Sequence, residues 1–439
     1  MNRHVVVLAP SSPPSGGSHA TRITALIEAL KRSGWRVTLV TGAWSDERRA
    51  ASVQFRTVQS LSRVIEARGG FFRSAAVRVG SLGKSPGSRQ RMVQAVRAFV
   101  RARAFPDTYA SWIPYATRAS LREIREGGAD LIISSGAPFS SHIAGYLVSR
   151  LSGVPLALDY GDPWVYEPGR PRRGLRLWIE HHLEAAILNW SKVVSVTTQA
   201  TIDLYKAKFP KLQVPFVLSP MGFDREDFLR PLAKSVPDRV VLNFAYTGRI
   251  NEEYRSVDDF VHLLNCVGGG SPAFCFHFYG SEFGGVRDSM AAFEENGIVR
   301  FHDSVDHQEY IQVLRQSDGL VLFGNNNYVQ VPGKVADYLA ARKNILYFTN
   351  VKDPQLDPAL RSITEVQNDG VFLGSSRGGF HEYVSACVSG PPAQDNDKLE
   401  HLSWERCFVP FLAAVSDVMR QSGAVPKDVR DDGASAARW

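Results

Sequence analysis

Apolar residues along this chain fall into short runs of about four to six, separated by polar loops and by segments in which apolar positions recur every three or four residues. That alternation is the signature of strands buried on both faces and helices laid over them. In the first half, 4–9 (HVVVLA) predicts a strand, 21–32 a helix with Ile23, Leu26, Ile27 and Leu30 on one face, and 37–40 a second strand. Strands at 130–134 and 155–158 enclose a helix at 143–151, and a strand at 193–197 lies between helices at 175–190 and 199–209, before a last strand at 217–219. The second half repeats the theme, with strands at 242–246, 274–279, 299–302, 320–323 and 345–348 and helices at 257–267, 307–315 and after Pro332. Two such sets predict an α/β protein of two doubly wound domains facing across a cleft, and 439 residues exceed what one core usually serves. We expect domains at 1–218 and 219–402, with a helix at 403–420, kinked at Pro410, returning to complete the first. The final stretch, 423–439, is expected to be disordered from its Gly, Pro, Asp, Ala and Arg content.

The loops between these elements carry the candidate chemistry. After the run 320–323 come Asn325, Asn326, Asn327 and Gln330, then Pro332-Gly333 and a helical pattern. Pro just inside a helix start predicts free N–H groups near Gly333 to Val335, which attract an anion. Lys334 adds a charge in that first turn, and Asp337 on the same face suits hydroxyls. In the first half, Gly16-Gly17 at a helix start lets a ligand approach the backbone closely. The loop is not GxGxxG, which counts against a dehydrogenase. The strand at 155–158 leads into Asp159, Asp162, Pro163 and Trp164, at the sheet edge where open α/β folds bind ligands.

Charge is unevenly spread. Of the net +7, residues 48–106 hold thirteen Lys/Arg against the single acid Glu66, so the rest of the chain is mildly acidic. Within it, 89–104 (RQRMVQAVRAFVRARA) sets Met92, Val93, Val96, Phe99 and Val100 against Arg89, Arg91, Arg97, Arg101 and Arg103. It reads either as a solvated face or as a peripheral contact with anionic membrane. Nothing suggests nucleic acid, for there is no basic and aromatic groove pattern. The four cysteines lack the spacing of a zinc site and read as reduced structural thiols. No run approaches the roughly 18 apolar residues of a membrane span, and the start MNRHVVVLAP has no signal-like core, so a cytoplasmic location is expected.

The second half resembles the nucleotide-sugar domain of GT-B glycosyltransferases of the GT4-like group. The resemblance rests on Tyr246-Thr247-Gly248-Arg249 with Arg255, Tyr279-Gly280, 301–305 before a helix, and Pro332-Gly333-Lys334 with Asp337. The first half is similar to a subgroup in which Phe105-Pro106-Asp107 and Trp112 precede 134–138 (SSGAP) and His142, followed by Asp159 and Asp162-Pro163-Trp164. That resemblance implies two Rossmann-like domains and transfer of a sugar from a nucleoside-diphosphate sugar to a hydroxyl acceptor with retention, without a required metal or other cofactor. It implies that Arg249 and Arg255 hold the diphosphate and offset the charge on the leaving group. Gly16 and Gly17 would lie under the donor phosphate, and Gly280, Val305, Gly333 and Lys334 would line the donor site. Asp337 would take the ribose, though it is one methylene shorter than the family's glutamate. Val329 stands where the family's first glutamate contacts the sugar, which leaves Asn326, Asn327 or Gln330 to replace it. Asp162 would orient or deprotonate the acceptor hydroxyl, or cap its turn. His142 reads as structural or capping with an acceptor-side role as the alternative, and Trp164 as packing with stacking on a sugar as a secondary use. The acceptor is a lipid-linked saccharide or a small natural product. A non-catalytic nucleotide-sugar-binding subunit and a sugar-nucleotide 2-epimerase are the competing readings.

Overall fold

The computed structural model describes residues 3–15, 17–44, 52–67, 104–230, 241–250, 254–267, 273–280 and 283–421. Gly16, the arginine-rich segment 89–103 and the tail 423–439 lie outside the described residues.

The apolar runs become two parallel sheets. The first contains β1 (His4–Leu8), β2 (Arg36–Gly42), β3 (Arg63–Ala67), β4 (Leu131–Gly136), β5 (Leu156–Tyr160), β6 (Val193–Val196) and β7 (Phe216–Leu218), in the order β3-β2-β1-β4-β5-β6-β7. The second contains β8 (Leu242–Thr247), β9 (Phe274–Tyr279), β10 (Val299–His302), β11 (Gly319–Phe323), β12 (Ile345–Phe348) and β13 (Val371–Leu373), in the order β10-β9-β8-β11-β12-β13. Strand order reverses between β1 and β4 and again between β8 and β11. At such switch points the loops leaving the strands' C-terminal ends diverge and open a crevice.

Several elements differ from the sequence expectation. The strand β3, its preceding helix Val53–Leu61 and the helix Ile113–Gly127 fall in the arginine-rich region or beside it. Their apolar residues are too diluted by arginine to form a clear run. β5 continues through Asp159 and Tyr160, which pair with Ser195 and Val196, so Asp159 sits inside the sheet rather than at its edge. Pro410 does not kink one long helix. It stands at the second position of a separate helix, Val409–Gln421, after a short turn Trp404–Cys407, where its missing N–H costs nothing.

Asp159 is fully buried, and what makes this tolerable is Arg22 on the helix Ser18–Arg32. Arg22 Nη2 donates to Asp159 Oδ1 at 2.6 Å and Nε to Oδ2 at 3.2 Å, while Ser135 Oγ and Ser195 Oγ donate at 2.7 and 2.8 Å. Arg22 also donates to the Pro220 carbonyl at 3.1 Å and lies 4.8 Å from the Phe408 ring centroid. Phe408, Phe411, Val415 and Met419 join Val5, Ile23, Leu26 and Leu39 in one core of the first sheet, so the C-terminal helix packs there. The chain crosses between sheets twice, and the crossings are stitched together: Phe223 N–H donates to Leu402 O and Trp404 N–H to Phe223 O, each at 3.0 Å. Gly222 permits this, because a Cβ there would meet Leu402 O at 2.8 Å.

Removing Arg22 strands a charge in the interior. Arg22→Ala should cost about 3–5 kcal/mol of unfolding free energy, read from denaturant midpoints, whereas Arg22→Met with Asp159→Leu should recover much of it.

Candidate active site in the interdomain cleft

Loops from both switch points meet in the cleft. β8 ends in Thr247, and Gly248 at φ +96 turns the chain so that Arg249 is exposed beside the buried anchor Ile250. Gly280, ending β9, lies against this turn: a Cβ there would sit 2.7 Å from Gly248 O. Arg255 is half-buried; its Nε donates to Asn325 Oδ1 at 3.0 Å and its Nη1 to Arg249 O at 3.3 Å, which fixes it between the turn and the loop after β11.

That loop, 324–334, is built by its own amides. Asn327 Oδ1 accepts from Val329 N and Gln330 N at 3.0 and 2.9 Å, and Asn325 Nδ2 donates to Gln330 O at 3.1 Å. Gln330 has both ends of its side chain engaged, accepting from Asn327 Nδ2 at 3.1 Å and donating to Asp162 Oδ1 at 2.7 Å. The expected donor-sugar contact from Gln330 is therefore unavailable while those bonds stand, and Asn327 is similarly committed. Asn326 is exposed, with its N–H on Tyr254 O at 2.6 Å. Val329 lends its carbonyl to Thr198 Oγ1 at 2.8 Å, and Tyr254 OH donates to Glu167. With Gln330 and Asp162, these bonds draw the second domain's loops onto the first.

The helix after this loop is shorter than expected, Val335–Ala340, with Lys334 as its cap. Val335 N–H already donates to Pro332 O at 3.0 Å, so only part of the anticipated anion-seeking end is open. Lys334 Nζ donates to Thr247 O and stands 3.7 Å from the Tyr246 ring centroid. Burial first, and then Arg255, hold its pKa well below the usual lysine range. Asp337 accepts from Tyr310 OH at 2.8 Å; burial pushes its carboxyl up to about 7 against the pull of Tyr310 and His307. Gly333 faces the other domain, where a Cβ would lie 3.4 Å from Ser18 Cβ. Gly17, at φ +85, caps the helix beginning at Ser18 without a side chain. Val305 is half-buried between β10 and the helix His307–Gln316.

Asp162 is half-buried in the bend after β5, and burial raises its pKa despite the bond from Gln330. Trp164 and His142 do not reach the cleft surface: both are fully buried, which fits their packing and structural readings and disfavours the alternative of direct contact with an acceptor. The Trp164 ring stacks on Phe139 at 5.5 Å and its Nε1 donates to Glu180 Oε2 at 3.1 Å. His142 shares a 2.9 Å hydrogen bond with Ser134 Oγ and stacks on Tyr160 at 4.2 Å, and burial pushes its pKa down to about 3, so it stays neutral.

Sequence reasoning missed the acids beneath this floor. Glu184 accepts from Tyr205 OH at 2.6 Å and Val165 N–H at 3.2 Å, while Glu180 binds Trp164, Arg172 and Arg176. Their i, i+4 spacing among Leu177, Leu183 and Ile187 was the available signal: two acids on a face that otherwise packs. Among the described residues, no group of three or more His, Cys, Asp or Glu could hold a metal ion, and no helix is long and apolar enough to cross a membrane.

Two Rossmann-like domains meeting at their switch points define the GT-B fold. Residues 17–218 match the family model described as "Glycosyl transferase 4-like domain". Sucrose-phosphate synthase from Thermosynechococcus elongatus is similar over 96% of this chain and 99% of its own, with 14% identity and a TM-score of 0.58. HepE from Anabaena, solved with UDP and glucose, covers 96% and 100% at 11% identity and a TM-score of 0.57. For alpha,alpha-trehalose 6-phosphate synthase from Burkholderia multivorans the figures are 96%, 100%, 12% and 0.61. At these identities the likeness is one of fold. No curated protein matches the sequence.

Burial raises the Glu184 carboxyl from 4.5 to about 7. The folded state then holds a proton that the unfolded chain has released, so stability falls as pH rises across that window and stays low above it. Glu184→Gln should remove this component. Urea midpoints at pH 5 and pH 7.5 should differ less in the variant than in the parent, and equal differences would contradict the assignment.

Proposed function

We propose that this chain is a glycosyltransferase that moves a sugar from a nucleoside-diphosphate sugar to a hydroxyl acceptor with retention of configuration. One observation carries the reading: Arg249, Arg255 and Lys334 gather at the switch point of the second sheet, where Gly333 meets Ser18 at the glycine-capped helix of the first. Cations and a helix N-terminus on opposite walls suit a diphosphate lying across the cleft. In this reading Arg249 and Arg255 neutralise the charge that grows on the departing nucleoside diphosphate, which is the main electrostatic task of the step and requires no metal. Gly280 and Gly248 keep the turn close enough to bring both arginines to that charge, and Val305 with Gly333 lines the donor. Asp337 accepts from the ribose hydroxyls, displacing Tyr310 OH.

Asp162 orients or deprotonates the acceptor hydroxyl; its raised pKa makes it a better base than a solvated aspartate. Its bond to Gln330 couples acceptor and donor sides. Trp164 and His142 act beneath the site by fixing the segment that carries Asp162. A lipid-linked saccharide or a small natural product is the acceptor, and peripheral contact with anionic membrane through Arg89 and its neighbours fits the former. A non-catalytic nucleotide-sugar-binding subunit is the second reading, favoured by Val329 in place of an acid and by the engaged Gln330 amide.

Arg249→Ala and Arg255→Ala should each lower turnover by about a hundredfold or more and weaken binding of UDP, the first probe, followed by GDP and ADP. Undiminished turnover in both variants sinks the assignment. Tight nucleotide binding with no transfer or donor hydrolysis over a broad acceptor panel selects the non-catalytic reading, and isomerised donor selects an epimerase.

Asp337 must ionise to accept two hydroxyls. With its carboxyl near 7 in the free protein, nucleoside affinity should rise with pH by up to about tenfold per unit below that value and level off above it. Calorimetric titration of uridine, whose ribose lacks a titrating phosphate, measures this directly. Asp337→Asn should bind more weakly and lose the pH dependence, and a variant keeping it would refute the ribose role.

A further inference from the structure

The second sheet has another recess, at the end opposite the cleft. Asp318 and Asn344 precede β11 and β12, and beside them lies a cavity of about 760 Å³. The helix Arg225–Leu229, just after the first crossing, and the helix Asn396–His401, just before the second, supply two of its walls. Phe228 and Leu229 give an apolar side.

Its charged lining is Arg225, Arg315, Arg342 and Lys343 against Asp318 and Glu400, an excess of two positive charges. Most of these groups are committed. Arg225 pairs with Glu400 at 3.3 Å, Arg342 donates to Asn396 Oδ1, and Arg315 donates to the carbonyls of Asp227 and Arg230. Asp318 Oδ2 accepts from Asn243 N–H at 2.7 Å. Lys343 differs: it is half-buried, and its ammonium makes no hydrogen bond or ion pair among the described residues. Burial lowers its pKa despite the attraction of Asp318 and Cys387, and Arg315 adds repulsion; a partly desolvated ammonium without a direct ion pair costs free energy that a surface position would avoid. Arg342, next to it, is the one non-glycine among the described residues with positive φ, at 54°. Such a backbone is unfavourable, and it is kept where the side chain reaches Asn396 at the rim.

We propose that this cavity is a second anion site, taking a small phosphorylated ligand of about sugar-phosphate size, with Lys343 as its central cation and Arg315 and Arg342 beside it. Two surplus charges match a phosphate dianion, and the volume leaves room for an organic body against Phe228 and Leu229. A ligand there would touch both segments that lead into the stitched crossings, so it would bear on how the two sheets are held. The inference stands independently of the proposed transfer reaction.

The test uses the Arg249→Ala/Arg255→Ala double variant, in which anion binding in the cleft is weakened, titrated calorimetrically with inorganic phosphate, pyrophosphate and glucose 6-phosphate. At least one should bind saturably, and adding Lys343→Gln should weaken it about tenfold or more without changing the melting temperature. As a measurement needing no variant at Lys343, the parent protein is acetylated with an amine-reactive reagent and the lysines read by mass spectrometry. The same anion should protect Lys343 selectively. No saturable binding at millimolar concentration, binding indifferent to Lys343→Gln, or unaltered Lys343 acetylation would each overturn the proposal.

Discussion

The buried pair of Arg22 and Asp159 is the interaction on which the remaining architecture hangs. Arg22 belongs to the helix whose glycine cap faces the cleft, and Asp159 to the strand that runs into Asp162. The same guanidinium holds the Pro220 carbonyl at the first crossing and lies against Phe408, just past the second. Burial imposes a large desolvation cost, so the pair persists only because Ser135 and Ser195 complete the carboxylate's shell. Its geometry therefore sets four things together: the helix N-terminus, the end of β5, the crossing and the return of the C-terminal helix.

With that framework fixed, the polar residues of the cleft divide by what they have left to offer. Asn325, Asn327 and Gln330 spend their amides on loop shape and on the bridge to Asp162. Short amide side chains beside backbone compete well for local donors and acceptors, which is why such loops fold on themselves. Arg255 is not satisfied this way: among the described residues its hydrogen bonds to Asn325 Oδ1 and the Arg249 carbonyl go to neutral acceptors, which leave its charge without a counter-charge there. An anion is the partner that such an arrangement still lacks.

Strands were legible where an apolar run ended abruptly in turn residues, as at 274–279, 299–302 and 345–348, which match β9, β10 and β12. Helix starts were less legible. Pro332 suggested a helix beginning there, but its carbonyl closes a turn onto Val335 and the helix begins after Lys334. Lys334 could be picked from its place at a helix start after a strand, whereas Arg249 and Arg255 came from the resemblance, since an arginine after a strand can as well form a surface ion pair. Tertiary partners could not be picked. Nothing local marks Arg22 as buried, since in its helix it occupies what looks like a polar position, and its acid lies 137 residues away. For Trp164 and His142 burial favours the structural and packing readings over the acceptor-side alternative, because a polar or amphipathic residue beside a motif can be the motif's support.

Lys334 shows how the free cleft stores the balance that a ligand would tip. Its ammonium is partly desolvated, near Arg255, and settles for the Thr247 carbonyl and the face of Tyr246. A carbonyl and a ring quadrupole stabilise a cation far less than a full negative charge does. An incoming phosphate would offset the repulsion between Lys334 and Arg255 and draw the lysine's pKa back up. Binding there would consequently take up a proton whenever Lys334 is neutral beforehand, so the strength of the anion's hold and the protonation of this one side chain are the same equilibrium seen from two sides.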